Sequence, residues 1–388
     1  MVNHYRKNDY AGDFRKGRDG MFDMSVPRTE TESKFRYVVH YGTEAFLDLK
    51  PDWDRLIEQS SSVARIFMRH DWLRIWLEFR GARYHPVIVL IYDGDIPIGI
   101  IPLCQRSARI AGSFWTALIF MGTPDADYHD IIIDTRYDAK VLYSFAQKII
   151  DLLCRKYSAT FLEDLRSDVA KQLLSTSRNH AVRPSFKCPY TSTTIPWEEY
   201  NQRIFSSDVR RKLKKVKALG SVEYGVVQRP EELDAFLSRF FDMHRRRWAG
   251  TDTPSRFNNE DDRKFLVDLA KALGPGASMH LAYLSVNGKI VACSYGFQDL
   301  GRLYYYIPTF EPELSYASVG MVFQYYLLLN EYRHFNTIDF LRGDEPYKSH
   351  WSTGEDVNHT LFLYRTPVHR MVYRGLRFAK RASLTNLL

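Results

Sequence analysis

Cysteine is scarce in this chain of 388 residues, and long apolar runs are missing. The four cysteines, Cys104, Cys154, Cys188 and Cys293, are scattered and form no Cys-x-x-Cys pair. We therefore expect neither a disulfide framework nor a metal site. No apolar run approaches the roughly 20 residues that cross a bilayer, and the polar N-terminus has no signal-peptide core. These absences favour a cytoplasmic protein, with peripheral attachment to the inner face of the membrane left open.

Acidic residues are absent from the end of the chain, after Asp356. The same segment carries most of the net charge of +8, on Arg365, Arg370, Arg374, Arg377, Lys380 and Arg381. Apolar residues interleave with these cations, which is typical of a basic amphipathic helix over 366–388. Such a helix either packs on the last domain or rests on an anionic membrane or a partner in a biosynthetic complex.

The chain does contain one passage twice. Residues 87–103 and 281–297 each consist of an apolar run, an Asp-Gly or Asn-Gly turn, and a second apolar run. Such turns between apolar runs predict tight β-hairpins, here at Asp93-Gly94 and Asn287-Gly288. The turns lie about 190 residues apart, roughly one domain length, which indicates a duplicated domain rather than a solenoid.

The segments after the two hairpins agree as well. Each hairpin is followed by a strand, a segment with helical periodicity (138–157 and 318–332) and a further strand. We therefore predict an α+β fold of two domains with mixed central sheets flanked by helices. The predicted boundaries are a disordered arm at 1–34, domains at 35–190 and 191–365, and the basic helix at 366–388.

A second basic segment, 208–220, also has helical periodicity. Its apolar residues form one stripe: Leu213, Val216 and Leu219. Ser207 or Asp208 can cap its start and Gly220 can end it. Its lysine-rich face is either solvated or turned toward an anion. Aromatic residues do not interleave with it, so nucleic-acid binding finds little support here.

The second half contains four characteristic stretches in a fixed order. They are His244-Arg-Arg-Arg247-Trp248, Asn287-Gly288-Lys-Ile-Val-Ala292, Ser318-Val319-Gly320, and Gly343-Asp344-Glu345-Pro-Tyr347-Lys348-Ser-His-Trp351. Together they resemble the CelD-type acetyltransferases, a branch of the GNAT superfamily associated with cellulose and other polysaccharide biosynthesis. The last stretch is the most specific. The first half resembles the family's upstream region at Phe67, Trp72, Asp93-Gly94, Pro102-Leu103 and Asp127-Tyr128-His129-Asp130.

The resemblance implies two tandem GNAT-like domains, as in the Fem peptidyltransferases, with the acyltransferase in the second. It also implies acyl-CoA, in particular acetyl-CoA, as donor. A helix N-terminus favours the donor's phosphates, and the matching residues are Ser318, Val319, Gly320 and Met321. The family's Arg/Gln-x-x-Gly-x-Gly/Ala loop keeps one glycine here. The alternative is that Ser318 simply caps the helix and Gly320 allows close packing.

The closing stretch provides candidates for the chemistry of acyl transfer, which needs a proton moved and charge stabilised. Asp344 or Glu345 can act as general base, Tyr347 can return a proton to the leaving thiolate, and Lys348 can bind an anion. The alternative is a surface loop with a Glu–Lys pair and a Trp that closes the core.

Candidate substrate-binding residues come from both halves: Asp127, Tyr128, Asp130, His244, Arg247, Trp248 and Trp351. His244 and Trp248 share a helix face because they are four residues apart. The alternative for this group is a core Trp beside arginines that complement the helix dipole.

Three functions remain open. The first is an acyl-CoA-dependent acyltransferase acting on an amine or hydroxyl of a small-molecule or glycan acceptor, such as a sugar or polysaccharide precursor. The second is a Fem-like transferase with an aminoacyl-tRNA donor, which the degenerate glycine loop and the basic 209–217 helix fit better. The third is a non-catalytic accessory protein of a polysaccharide synthase.

Overall fold

The computed structural model describes residues 22–23, 34–110, 113–173 and 180–380. The chain divides into two units, Met1–Ser185 with Val357–Leu388, and Phe186–Asp356. The second unit thus begins at Phe186 rather than 191 and ends at Asp356 rather than 365. The reason for the earlier end is a strand at Gly354–Tyr364, whose later residues, from Asn358, pair within the first unit.

The strands are β1 (Phe22–Asp23), β2 (Phe35–Tyr41), β3 (Tyr84–Asp93), β4 (Ile96–Ile110), β5 (Ser113–Phe120), β6 (Ile132–Ile133), β7 (Ala159–Arg166), β8 (His180–Ser192), β9 (Val222–Val226), β10 (Met279–Val286), β11 (Lys289–Asp299), β12 (Arg302–Phe310), β13 (Thr337–Asp339) and β14 (Gly354–Tyr364). The helices are α1 (Thr43–Asp48), α2 (Lys50–Gln59), α3 (His70–Arg80), α4 (Ala139–Cys154), α5 (Ser167–Gln172), α6 (Trp197–Ile204), α7 (Ser207–Lys217), α8 (Leu233–Arg247), α9 (Glu260–Leu273), α10 (Val319–Glu331), α11 (Pro346–Trp351) and α12 (Pro367–Lys380). Within the described residues, every helix is too short or too polar to span a bilayer.

The first unit is built on a mixed sheet in the order β1-β2-β3-β4-β5-β7-β14, with β6 paired to β4. Its core lies between this sheet and α4, whose apolar stripe is buried. Asp138 caps α4 by accepting hydrogen bonds from the N–H groups of Lys140 and Val141. The predicted helix at 138–157 therefore exists and ends slightly earlier than expected.

The turn of the first hairpin differs by one residue from the prediction. Asp93 pairs with Ile96, so the two turn residues are Gly94 and Asp95 rather than Asp93 and Gly94. Gly94 alone has a positive φ, of 59°, as the first position of a type II′ turn requires. At the second hairpin Val286 pairs with Lys289, and both Asn287 and Gly288 have positive φ, as a type I′ turn requires, which confirms the predicted hairpin turn.

The predicted arm at 1–34 falls almost entirely outside the described residues. Inside it, Phe22–Asp23 form β1 and pair with β2. The predicted basic helix at 366–388 corresponds to α12, and residues 381–388 lie outside the described part.

The second unit has a sheet in the order β8-β13-β12-β11-β10-β9, in which the β12–β13 contact is parallel and the other pairs with given registers are antiparallel. The core lies between this sheet and α10 and includes the apolar stripe of α7. Ser206, one or two residues before the predicted caps, begins α7 by accepting the N–H of Val209. Both units are therefore α+β assemblies with mixed sheets flanked by helices, which confirms the predicted fold class.

Candidate active site

A gap opens in the sheet of the second unit where β12 and β13 part. The two strands pair over three residues, ending at Tyr304 and Asp339. β12 continues to Phe310, whereas the chain after β13 turns aside at Leu341, which has a positive φ of 58°. The Asp339 carboxylate holds this turn by accepting the N–H of Leu341 at 2.9 Å. The carboxyl ends of parallel strands are a frequent ligand site in α/β sheets.

A β-bulge lies at the same place in β12. Tyr304 pairs with Phe297 and Ile307 pairs with Tyr295, so β12 carries one residue more than β11 between these pairs. Gly296 faces this bulge, and a Cβ there would lie 2.6 Å from the carbonyl oxygen of Tyr304. Bulges bend a strand and re-aim its side chains. The bulge therefore begins where the pairing with β13 ends.

The start of α10 borders the carboxyl end of β12, where Gly320 lies against Phe310. Ser318 is the N-cap residue of α10, as the alternative reading expected, but it is left-handed (φ 58°, ψ 41°) and its side chain makes no capping hydrogen bond. The first N–H groups of a helix lack intrahelical acceptors; Val319 is fully buried, whereas Gly320 is partly exposed and can offer its N–H to a ligand. A Cβ on Gly320 would lie 2.8 Å from the Phe310 ring, so this glycine does allow close packing.

One cation reaches the start of α10. The Nζ atom of Lys212, on α7, lies 3.1 Å from the Sδ atom of Met321 and 2.6 Å from the Asp208 carboxylate. Open helix N–H groups beside a lysine are a donor set suited to a phosphate. Residues 318–321 with Lys212 therefore fit one phosphate group of a coenzyme A donor.

The closing stretch forms a clasp around Lys348. Its ammonium group is buried and lies 2.9 Å from the Glu345 carboxylate, 2.9 Å from the carbonyl oxygen of Arg342 and 3.4 Å from that of Leu341. All three N–H donors of the lysine thus have acceptors. A Cβ on Gly343 would lie 2.3 Å from the Glu345 carboxylate, which explains the glycine of the signature. The clasp points to a structural role for Lys348.

Glu345 is affected by the same pairing. Partial burial acts to raise its pKa, but the charge and hydrogen bond of Lys348 outweigh it, so the pKa of Glu345 lies below its usual value. A carboxylate held this way is a weaker base. Asp344, next to it, is exposed at the tip of the loop.

Tyr347, in contrast to Asp344, packs against the hydrophobic core of the second unit. Burial raises the pKa of its phenol, and the nearby charge of Glu345 adds to this while Arg247 opposes it. Arg247 donates to the carbonyl oxygen of Pro308 at 3.3 Å and stacks on Phe310 at 4.1 Å. Burial lowers the pKa of the Arg247 guanidinium, and the nearby phenols of Tyr305 and Tyr347 act in the opposite direction. The protonated phenol and the guanidinium are therefore near enough for the charge of each to act on the other.

The other residues predicted on α8 have supporting roles. His244 is buried, and its Nδ1 lies 2.8 Å from the Ser255 hydroxyl. Burial, with the charge of Arg247, lowers the pKa of His244 to about 3, so the imidazole stays neutral. The ring of Trp248 lies 5.4 Å from the Arg247 guanidinium. Trp351 is fully buried, and its carbonyl oxygen accepts from Tyr200 and Thr191. These contacts favour packing for His244 and Trp351.

Asp127, Tyr128 and Asp130 belong to the first unit, and all three are buried. Asp130 accepts hydrogen bonds from the hydroxyls of Ser62 and Tyr143, each at 2.6 Å, and from the N–H of Ile131. Burial outweighs these bonds and raises the pKa of Asp130 to about 6. The carbonyl oxygen of Asp127 accepts from Asn358 at 2.9 Å. Their contacts describe a buried polar network, and substrate binding by them stays a prediction.

The sequence reading missed an acidic link between α8 and the segment before α10. The buried Glu311 carboxylate accepts from Arg239 and, at 2.7 Å, from Arg246. The sequence signal was the spacing of Arg239 and Arg246, which are two helical turns apart and so lie on one face of α8. A separate cleft of about 490 Å³ in this unit, bordered by His280 and Glu331, contains none of the predicted residues. Within the described residues no cluster is placed to hold a metal ion.

The family comparison covers the unit that contains this geometry. Residues 203–349 match the acetyltransferase (GNAT) domain. The GNAT match lies wholly within the second unit and includes the predicted donor residues, Arg247 and the clasp. The chain therefore carries a GNAT-type transferase domain, and the CelD-type branch stays a prediction. No curated protein matches the sequence.

Solved structures extend the likeness to both units. The C-terminal domain of a protein assigned as a lysylphosphatidylglycerol synthetase, from Agrobacterium fabrum, is 9% identical with a TM-score of 0.56, over 86% of this chain and 96% of that one. FemX is 11% identical with a TM-score of 0.54, over 83% and 98%. L-PGS from Bacillus licheniformis is 9% identical with a TM-score of 0.51, over 84% and 96%. At these identities the likeness concerns the fold alone, and it extends over most of the chain.

Proposed function

We propose that this protein transfers an acyl group, in particular acetyl, from an acyl-CoA to an amine or hydroxyl of a sugar or polysaccharide precursor. The observation that carries the proposal is the gap between β12 and β13, with the start of α10 and Lys212 near the end of β12 and Arg247 with Tyr347 beside the strand. An acyl-CoA supplies a thioester and anionic phosphates; Lys212 and the start of α10 suit a phosphate, and Tyr347 with Arg247 suit the thioester.

The residues divide the work by their chemistry. The N–H of Gly320, with Lys212, binds a phosphate of the donor. Tyr347 stays protonated at neutral pH and donates its proton to the leaving thiolate as the C–S bond breaks; the resulting phenolate then takes up the proton that the acceptor amine or hydroxyl releases when its bond to the acyl carbon forms. Arg247 stabilises negative charge that develops beside β12. Glu345 and Lys348 hold the loop that positions Tyr347.

The test uses the full chain, acetyl-CoA and a panel of amino and neutral sugars, with release of free thiol as readout. We expect turnover with at least one acceptor. Tyr347→Phe should lower kcat about 10²-fold, a typical worth of acid catalysis, and leave the KM for acetyl-CoA unchanged. Lys212→Ala should raise that KM, whereas Lys217→Ala, an exposed lysine of the same helix, should not. Equal effects of the two lysine variants would contradict the donor site.

A second candidate is transfer from an aminoacyl-tRNA. It is favoured by the exposed basic face of α7, which presents Arg211, Lys214, Lys215 and Lys217. Retention of tRNA that weakens steeply with salt, together with no acetyl-CoA binding, would support it. The accessory-protein reading would gain only if neither donor binds.

A further inference from the structure

One face of α12 is fixed on the first unit by rings. Tyr373 lies 4.9 Å from Phe161 and 5.6 Å from Tyr364, and His369 lies 4.7 Å from Trp115, measured between ring centroids. His369 and Tyr373 are four residues apart and so share a helix face. Thr366 begins the helix, since its hydroxyl accepts the N–H of His369 at 3.4 Å. The helix is therefore held in one orientation.

A second face is apolar and turned to solvent. Val368, Met371 and Val372 have the spacing of one helix face. Val368 is 65% exposed and Met371 72% exposed, the largest exposures among the large apolar residues apart from Tyr316, which equals Val368. Because α12 packs on the first unit through a different face, that packing does not explain why Val368 and Met371 face the solvent. An apolar face left in water in this way marks an interaction surface.

The third face is basic and unneutralised. Arg370 and Arg374 are four residues apart, and Arg365 precedes the helix. Within the described residues none of these three arginines forms an ion pair, although the protein forms many elsewhere. No acidic residue follows Asp356 in the sequence to neutralise them. The cations thus remain available to an external anionic surface.

We propose that α12 lies in the interface of an anionic lipid membrane, with Val368 and Met371 inserted among the acyl chains and Arg370 and Arg374 on the lipid phosphates. An apolar face bordered by arginines is the arrangement of an interfacial helix, because the apolar area and the charge attraction add. An apolar protein groove would satisfy Val368 and Met371 but leave the arginines without counter-ions. The proposal does not depend on the acyl-transfer proposal.

The test is co-sedimentation of the full chain with vesicles of phosphatidylcholine alone and of phosphatidylcholine mixed with phosphatidylglycerol. We expect binding to the mixed vesicles only, weakened by added salt. The double variant Arg370→Gln/Arg374→Gln should bind about 30-fold more weakly, since each arginine near an anionic surface contributes about 1 kcal/mol. Val368→Glu/Met371→Glu should abolish binding. Both variants should keep the thermal midpoint and any activity on soluble acceptors.

Matched controls separate α12 from overall charge. Ile96→Glu changes another exposed apolar residue of the first unit, and Lys214→Gln/Lys215→Gln removes two cations from α7. Both should bind like the wild type. Equal loss in the lysine variant, equal binding to both kinds of vesicle, or no binding at all would overturn the proposal. Self-association in sedimentation that Val368→Glu/Met371→Glu abolishes would also overturn it, because a second copy of the chain would then cover this face.

Discussion

The clasp around Lys348 makes a sharp prediction about Glu345. In Glu345→Gln the buried ammonium keeps the two carbonyl oxygens but loses its counter-charge at 2.9 Å. Breaking a buried ion pair from one side costs about 3–5 kcal/mol. Because the Glu345 side chain is 48% exposed, water can partly replace it, and we expect a loss of about 2 kcal/mol in the unfolding free energy of the second unit.

Lys348→Met gives the complementary result. It removes the buried charge and leaves Glu345 in contact with water, so we expect a loss under about 1 kcal/mol. The double variant should be no less stable than Glu345→Gln, because the uncompensated charge has gone. Urea titrations followed by tryptophan fluorescence measure all three free energies, and the cycle isolates the pair.

Activity distinguishes positioning from direct chemistry. If the clasp only positions Tyr347, Lys348→Met and the double variant should retain measurable turnover and a similar pH profile. If Glu345→Gln unfolds like the wild type and yet loses turnover at least 10²-fold, the carboxylate acts as the base and the clasp argument is refuted.

Further predictions concern packing and titration. Gly320→Ala should lower the unfolding free energy of the second unit by about 1–3 kcal/mol and weaken donor binding, because its Cβ would lie 2.8 Å from the Phe310 ring. An unchanged urea midpoint would contradict this. With its pKa near 3 when folded, His244 binds its proton mainly in the unfolded chain, so stability should fall by about 3 kcal/mol between pH 7 and pH 4, a loss that His244→Asn removes. Asp130 has the opposite sign: its pKa of about 6 means that stability should fall by about 3 kcal/mol as pH rises from 3 to 7, and Asp130→Asn should flatten this part of the curve.

Local patterns in the sequence predicted the elements well. The turn at Asn287-Gly288 needs two adjacent residues that tolerate positive φ, and Asn and Gly are the residue types that do so most readily. The α4 helix follows from the period of its apolar residues, whereas α10 is apolar on most of its surface and shows little such period. The first hairpin shows the limit, because Asp93-Gly94 and Gly94-Asp95 both satisfy a tight turn and the strand register decides between them.

The site depends on contacts that sequence spacing does not contain. The gap requires the left-handed Leu341, and nothing in a leucine predicts positive φ. The burial of Lys348 follows from the fold of residues 341–348 onto its side chain. In the first unit, Asn358 reaches Asp127 across 231 residues of sequence. Residue types indicated which groups take part, and the long-range contacts separated positioning from chemistry.

Hydrogen–deuterium exchange of the full chain with and without acetyl-CoA tests the central claim most directly. The donor site proposed at the gap predicts slower exchange at the end of β12 and at residues 318–322, with no change around His280 and Glu331. Protection at the latter cleft alone, or nowhere in the second unit at saturating acetyl-CoA, would contradict it.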